Sequence, residues 1–301
     1  MISSHFTRKG CHLAKTRPHY AAVMKSLKAI FFLSYFLWIS LQQVRAQEVP
    51  QHHAVFPRPD FTAPVTATAL EESGYYLLAN KSLLGLADIR LLNARDCEDV
   101  PDICPLRQDS RQRLENFIPD GLITSETGAQ RDRYGRHLAQ IATSRGLWLQ
   151  EDLISKGYAR VMPQQGDPAI IRHLLSLEAL ARQENRGLWA HRPFQPFTAE
   201  NARQGLDHYQ LVEGLVIRTA KVRDSLYLNF GDDWRQDFTI KLNRDAWNSF
   251  PDKGAGLLTL SGTRLRVRGW LFWENGPMIS LYSPLQLEIL FSPEIKTTEP
   301  E

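Results

Sequence analysis

Cysteine is scarce in this chain, with three residues in 301, at Cys11, Cys97 and Cys104. So few thiols exclude a disulfide-dense scaffold and any multi-cysteine metal cluster. Acidic residues are missing from positions 1–46, which hold seven basic ones. Long apolar runs are missing too. The most apolar stretch, 29–41, falls short of the roughly 20 residues that a bilayer span requires. There is no internal repeat, and 43% hydrophobic with 23% charged residues is the balance of a globular protein, which excludes collagen, a coiled coil or wholesale disorder.

What stands at the N-terminus has the layout of a secretory leader. Lys25 and Lys28 precede the apolar stretch, and Val44-Arg-Ala46 follows it before Gln47. A basic region, an apolar region and a small-residue cleavage site in that order predict a signal peptide over 1–46, with Met24 as an alternative start. The competing reading is an uncleaved anchor. Export places the mature chain in a periplasm or outside the cell. Leader removal also reverses the charge: the precursor is at +3, whereas residues 47–301 carry 29 basic against 33 acidic side chains, or −4. A net-acidic protein has no global field to attract nucleic acid, so any such contact has to come from a local patch.

The prolines at 50, 57, 59 and 64 mark 47–72 as a linker. A first domain is expected over 73–190. Within it, 75–78, 84–92 and 136–143 read as strands. Residues 110–117 form a short helix candidate. The spacing of Leu149, Leu153 and Ile154 predicts a helix that stops at Gly157. Residues 169–184 give the clearest helical stripe, with Ile170, Ile171, Leu174, Leu175, Leu177 and Ala181 on one side and Pro168 in the first turn. Trp148 and Trp189 read as packing residues.

Three stretches carry a family resemblance: Ile89-Arg-Leu-Leu92; Asp132-Arg-Tyr-Gly-Arg136 with Leu138-Ala-Gln-Ile141; and 149–161 taken with 178–189. In order and spacing they resemble the staphylococcal-nuclease (thermonuclease-like) family, an OB-type barrel capped by helices, over about a third of the chain. The resemblance implies calcium-dependent phosphodiester hydrolysis of DNA or RNA. A hard cation needs carboxylate oxygens, a carboxylate activates water, and two arginines neutralise the phosphoryl oxygens. Arg90 and Arg136 match those arginines, and Glu98 stands at the general-base spacing. The spacing of the metal-binding carboxylate falls on Arg95; a one-residue slip brings Asp96 there and Asp99 to the base position. The upstream metal ligand has no counterpart, because residues 73–87 contain no acid and Asp88 is out of place. Residues expected to hold a metal are therefore none, with calcium required only if the site is active. The structural alternative for Arg90 and Arg136 is ion pairing with Asp88 or Glu98. Tyr134 is the retained aromatic for nucleotide contact. Cys97 and Cys104, seven positions apart, are expected to form a disulfide worth roughly 2–3 kcal/mol, with free thiols as the alternative.

After a linker at 191–205, short strands at 214–219, 225–230, 238–242, 265–270, 277–282 and 285–291 suggest a second small OB-like β-barrel over 206–292, followed by a disordered tail at 293–301. Alternation puts Arg264, Arg266, Arg268 and Trp270 on one strand face. That mix suits single-stranded nucleic acid. The competing reading is a solvated face paired to Asp232, Asp233 or Asp237, in a domain with ten basic and ten acidic residues. The fold class expected is thus α+β: a β-barrel with helices, then a second β-barrel. The function expected is an exported, catalytically impaired nuclease homologue that binds single-stranded nucleic acid or a protein partner, without a stable membrane span once the leader is removed. An active calcium-dependent nuclease is the alternative.

Overall fold

The computed structural model describes residues 58–291 other than 165 and 234. The expected leader at 1–46, the first part of the 47–72 linker and the tail at 293–301 lie outside the described residues. The first module runs through strands β1 (Phe61–Val65), β2 (Ala67–Leu70), β3 (Tyr76–Leu78), β4 (Leu83–Leu86) and β5 (Ile89–Leu91), helices α1 (Ala94–Asp99) and α2 (Cys104–Asn116), strands β6 (Leu122–Arg131) and β7 (His137–Thr143), helix α3 (Leu149–Ser155), strand β8 (Ala159–Val161) and helix α4 (Pro168–Gln183).

Six of these strands make one mixed sheet in the order β1-β6-β7-β4-β3-β2, and β5 pairs with β8 separately. The expected linker is therefore sheet from Phe61 onward. Pro64 misled the sequence reading because β1 is an edge strand, where a missing N–H is tolerated. The single strand expected over 84–92 is two strands. Asp88, at φ 61°, turns the chain between them, so that β4 follows β7 while β5 joins β8. Helix α2 begins at Cys104, six residues before its expected start, with Pro105 in its first turn. Helix α4 matches its pattern: the Asp167 side chain caps Ala169 N at 2.7 Å, and Ile170, Ile171, Leu174 and Ala181 face inward. Gly157 closes α3 at φ 70°, and its carbonyl accepts from Leu188 N at 2.9 Å.

The second module contains β9 (Phe197–Thr198), β10 (Tyr209–Leu215), β11 (Arg218–Val222), β12 (Ser225–Asn229), β13 (Thr239–Asn243), helix α5 (Arg244–Asn248), β14 (Arg264–Trp273), β15 (Pro277–Ser280) and β16 (Leu287–Phe291). Its sheet runs β11-β12-β13-β15-β14-β10-β9, with β16 on β14. Strand β14 has three neighbours: 264–270 pairs with β10, 264–267 also with β16, and 271–273 with β15. Both modules are mixed sheets with helices, α+β as expected, but their strand orders close no barrel.

The modules have separate cores and also share one. Leu92, Ile103, Trp189 and Phe194 pack with Leu211 of β10. The segment expected as a linker at 191–205 is packed as well, with Phe194 in this shared core and Phe197 and Ala202 in the second module's own. Among the described residues no helix is long and apolar enough to cross a membrane. The expected disulfide is not formed: Cys97 and Cys104 are free thiols. Cys104 Sγ instead donates to the carbonyl oxygen of Cys97 at 3.7 Å. Burial, reinforced by the neighbouring Cys104, pushes the Cys97 thiol up to about 11.

Candidate functional site

Arg90 lies at the centre of β5, directly opposite Arg160 of β8. Two guanidiniums so placed repel, and each is held by a different group. Arg90 Nη2 donates to Asp96 Oδ1 at 2.9 Å. Arg160 Nη1 donates to the carbonyl oxygen of Tyr209, in the second module. Burial, with Arg90 as the next cause, pushes the Arg160 guanidinium down to about 10. Asp96 is fixed before it meets Arg90, because Asn93 and Asp96 form a capping box at the start of α1. The carboxylate that holds Arg90 is thus Asp96, not Asp88 or Glu98. Asp88 is turned away by its positive φ; its oxygens accept from Gln140 Nε2 at 3.0 Å and Gln164 N at 3.1 Å.

A second nitrogen of Arg90, Nη1, is buried and has no partner among the described residues. Arg90 lines a pocket of about 190 Å³ together with Tyr75, Gly85, Asn93 and Met162. Gly85 is required there: a Cβ on it would come within 2.6 Å of the Tyr75 ring and 2.7 Å of Leu138. Arg136 lies over the far side of this wall, its guanidinium 4.0 Å from the Tyr75 ring centroid. Its Nε donates to Asp132 Oδ2 at 2.6 Å. Asp132 also accepts from Tyr75 Oη and from the backbone of Tyr134 and Arg136. Burial pushes the Asp132 carboxyl up, but these bonds, chiefly from Arg136, outweigh it and hold the carboxyl below its ordinary value. Tyr134 is 68% exposed at the tip of the β6–β7 hairpin, with Arg133 and Arg136 each 5.0 Å from its ring. Glu98 is exposed on α1 and lines neither this pocket nor the hairpin.

The face of Arg264, Arg266, Arg268 and Trp270 forms as alternation predicts, but most of it does not meet solvent. Arg268 is 1% exposed; its Nη1 donates to Glu178 Oε2 of α4 at 2.6 Å, and its Nη2 to Glu288 Oε1 at 2.7 Å. Arg266 is bound by Glu213 and Glu288. None of these carboxylates is the Asp232, Asp233 or Asp237 that the sequence offered. Arg264 is exposed, 4.0 Å from Glu213. Trp270 is 48% exposed and lies 5.5 Å from the Arg90 guanidinium, so it packs on the first module. The strand face expected to meet nucleic acid is in large part the joint between modules. Sequence reasoning offered Asp96 only as a metal ligand in a slipped register, not as the partner of Arg90, and did not find Arg160 or Glu178. Only Asp96 left a signal, the Asn93–Asp96 capping spacing.

A family model described as staphylococcal nuclease homologue matches residues 89–191. Over this segment the chain is similar to that family. The match starts at β5, so strands β1 to β4, which complete the domain's sheet, precede it, and the second module follows it. No curated protein matches the chain. A nuclease-type domain implies a calcium ion, and the residues present do not fit one. Arg95 stands at the carboxylate spacing, exposed and 3.8 Å from Asp99. Asp96, the residue that a register slip would supply, is bound to Arg90. Among the described residues no three His, Cys, Asp or Glu side chains come together in a way that would hold a metal ion.

Proposed function

We propose that this is an exported, non-cleaving staphylococcal-nuclease-type protein that binds single-stranded nucleic acid. One observation carries the reading: the groups that grip a phosphate persist while those that hold the hydrolytic cation do not. Arg90 keeps an unpartnered Nη1 at its pocket, and the chain has Arg95 at the spacing where the family resemblance calls for a carboxylate. A doubly charged cation needs oxygen ligands, and a guanidinium in their place repels it. The exposed Tyr134, flanked by Arg133 and Arg136, supplies a stacking ring with cations beside it, the combination that holds single strands without cleaving them. The leader-like pattern at 25–46 supports export to the periplasm or the cell exterior.

The test uses the purified protein and a fluorescent single-stranded oligonucleotide. The expected result is an intact oligonucleotide with calcium and with chelator alike, and salt-sensitive binding that Tyr134→Ala weakens about 5- to 100-fold, the worth of one stacked base. Chelator-sensitive cleavage abolished by Arg136→Ala would replace this reading with the calcium-dependent nuclease. No cleavage and no binding would leave a protein as the partner.

A further inference from the structure

One groove belongs to neither arginine cluster that the sequence marked. It is a cleft of about 540 Å³ on the β11-β12-β13-β15 face of the second module. Its floor follows from strand register. Arg218, Asn229, Thr239 and Met278 stand opposite one another in a row across four strands, and Tyr227 stands opposite Ala220 in the next row. All six side chains line the groove. Tyr227 is half-buried beside the small Ala220, and Met278 adds a soft apolar surface.

The polar groups point to a ligand of definite chemistry. Asn229 is 5% exposed. Its Oδ1 accepts from Thr239 Oγ1 at 3.2 Å, a hydroxyl that also lies 3.4 Å from the Asp237 carbonyl oxygen, and its Nδ2 has no partner among the described residues. A nearly buried amide thus presents two N–H donors to the cleft. Arg218 at the rim is exposed and makes no ion pair among the described residues. The carboxylate on the opposite wall, Glu274, is neutralised by Lys241. The cleft therefore offers an aromatic face, a buried hydrogen-bond donor and one uncompensated cation.

We propose that this cleft seats one nucleotide of a single strand, its base on Tyr227 with an acceptor at Asn229 Nδ2 and its phosphate at Arg218. The proposal rests on the reading that the protein binds nucleic acid, and it adds a second contact on a different module from the Tyr134 hairpin. Stacking on a flat ring tolerates any base, and Arg218 adds a salt-dependent grip.

The experiment uses the full chain and an oligonucleotide carrying 2-aminopurine, whose fluorescence falls when the base stacks. Wild type is expected to quench it. Tyr227→Ala is expected to weaken binding about 5- to 100-fold and remove the quench, while Tyr227→Phe keeps both. Arg218→Ser is expected to lower the log–log salt slope by about 0.7, the value for one contact to a single strand. Circular dichroism of each variant checks that the module is folded. Wild-type binding by Tyr227→Ala and Arg218→Ser, with loss in Tyr134→Ala, would overturn this site and leave the hairpin reading intact. A wild-type protein that binds no oligonucleotide would overturn both. Adenosine monophosphate binding as tightly as the oligonucleotide would overturn the assignment to a strand.

Discussion

Replacing Arg268 by methionine removes a guanidinium that is 1% exposed and joins two modules. Three bonds go with it: to Glu178 Oε2 at 2.6 Å, to Val161 O at 3.2 Å and to Glu288 Oε1 at 2.7 Å. Burial lowers the affinity of Arg268 for its proton, but Glu178 and Glu288 more than offset this, so the group stays charged. Glu178 is itself fully buried, and the substitution strands its carboxylate. Breaking a buried ion pair from one side costs about 3–5 kcal/mol. Glu178 keeps its bond from Val161 N at 2.7 Å and a distant Arg182 at 3.7 Å, which favours the lower end. At about 2–4 °C per kcal/mol for a unit of this size, the midpoint falls by ~6–20 °C. Thermal unfolding followed by circular dichroism measures this. The double variant Arg268→Met with Glu178→Gln removes the stranded charge and is expected to recover about half of the loss. A single variant that melts within about 2 °C of wild type, or a double variant whose losses simply add, would refute the claim that this pair welds the modules.

Two further outcomes follow from particular contacts. Gly157→Ala places a Cβ 2.1 Å from the carbonyl oxygen of Arg186 at a backbone φ of 70°, so strain and clash together are expected to cost at least ~2 kcal/mol in urea unfolding. Glu288 is depressed below its ordinary 4.5 because Arg268 and Arg266 outweigh the upward push of burial. A depressed carboxyl contributes stability fully present above its unfolded value and lost as pH falls through the folded one. The stability gap between wild type and Glu288→Gln is thus expected to be constant near neutral pH and to close below 4.5, as denaturation series across that range would show.

Much of the first module was legible in the chain because its signals are local. The stripe from Ile170 to Ala181, the proline and the cap of α4 all act within a few residues of one another. So does the stop at Gly157. The motif residues Arg90, Asp132 and Arg136 were also visible as such, and they lie within the segment that the family model matches. Strand β1 was missed because a proline reads as a breaker unless its place at a sheet edge is known. The break at Asp88 was missed because a positive φ in a non-glycine residue leaves no mark on hydropathy.

The chain alone determined which residue types stand at the nuclease-like spacings, and above all that an arginine, not a carboxylate, occupies position 95. Covalent sequence fixes charge and order. It does not fix which charges meet, since Coulomb attraction depends on distances that only packing sets. The tertiary fold decided that Arg90 belongs to Asp96, that Arg268 turns inward to Glu178 on a helix 90 residues away, and that Tyr227, Asn229 and Arg218 share one open cleft. Alternation along β14 correctly placed three arginines on one face. Whether that face met water or a neighbouring module depended on where α4 came to rest.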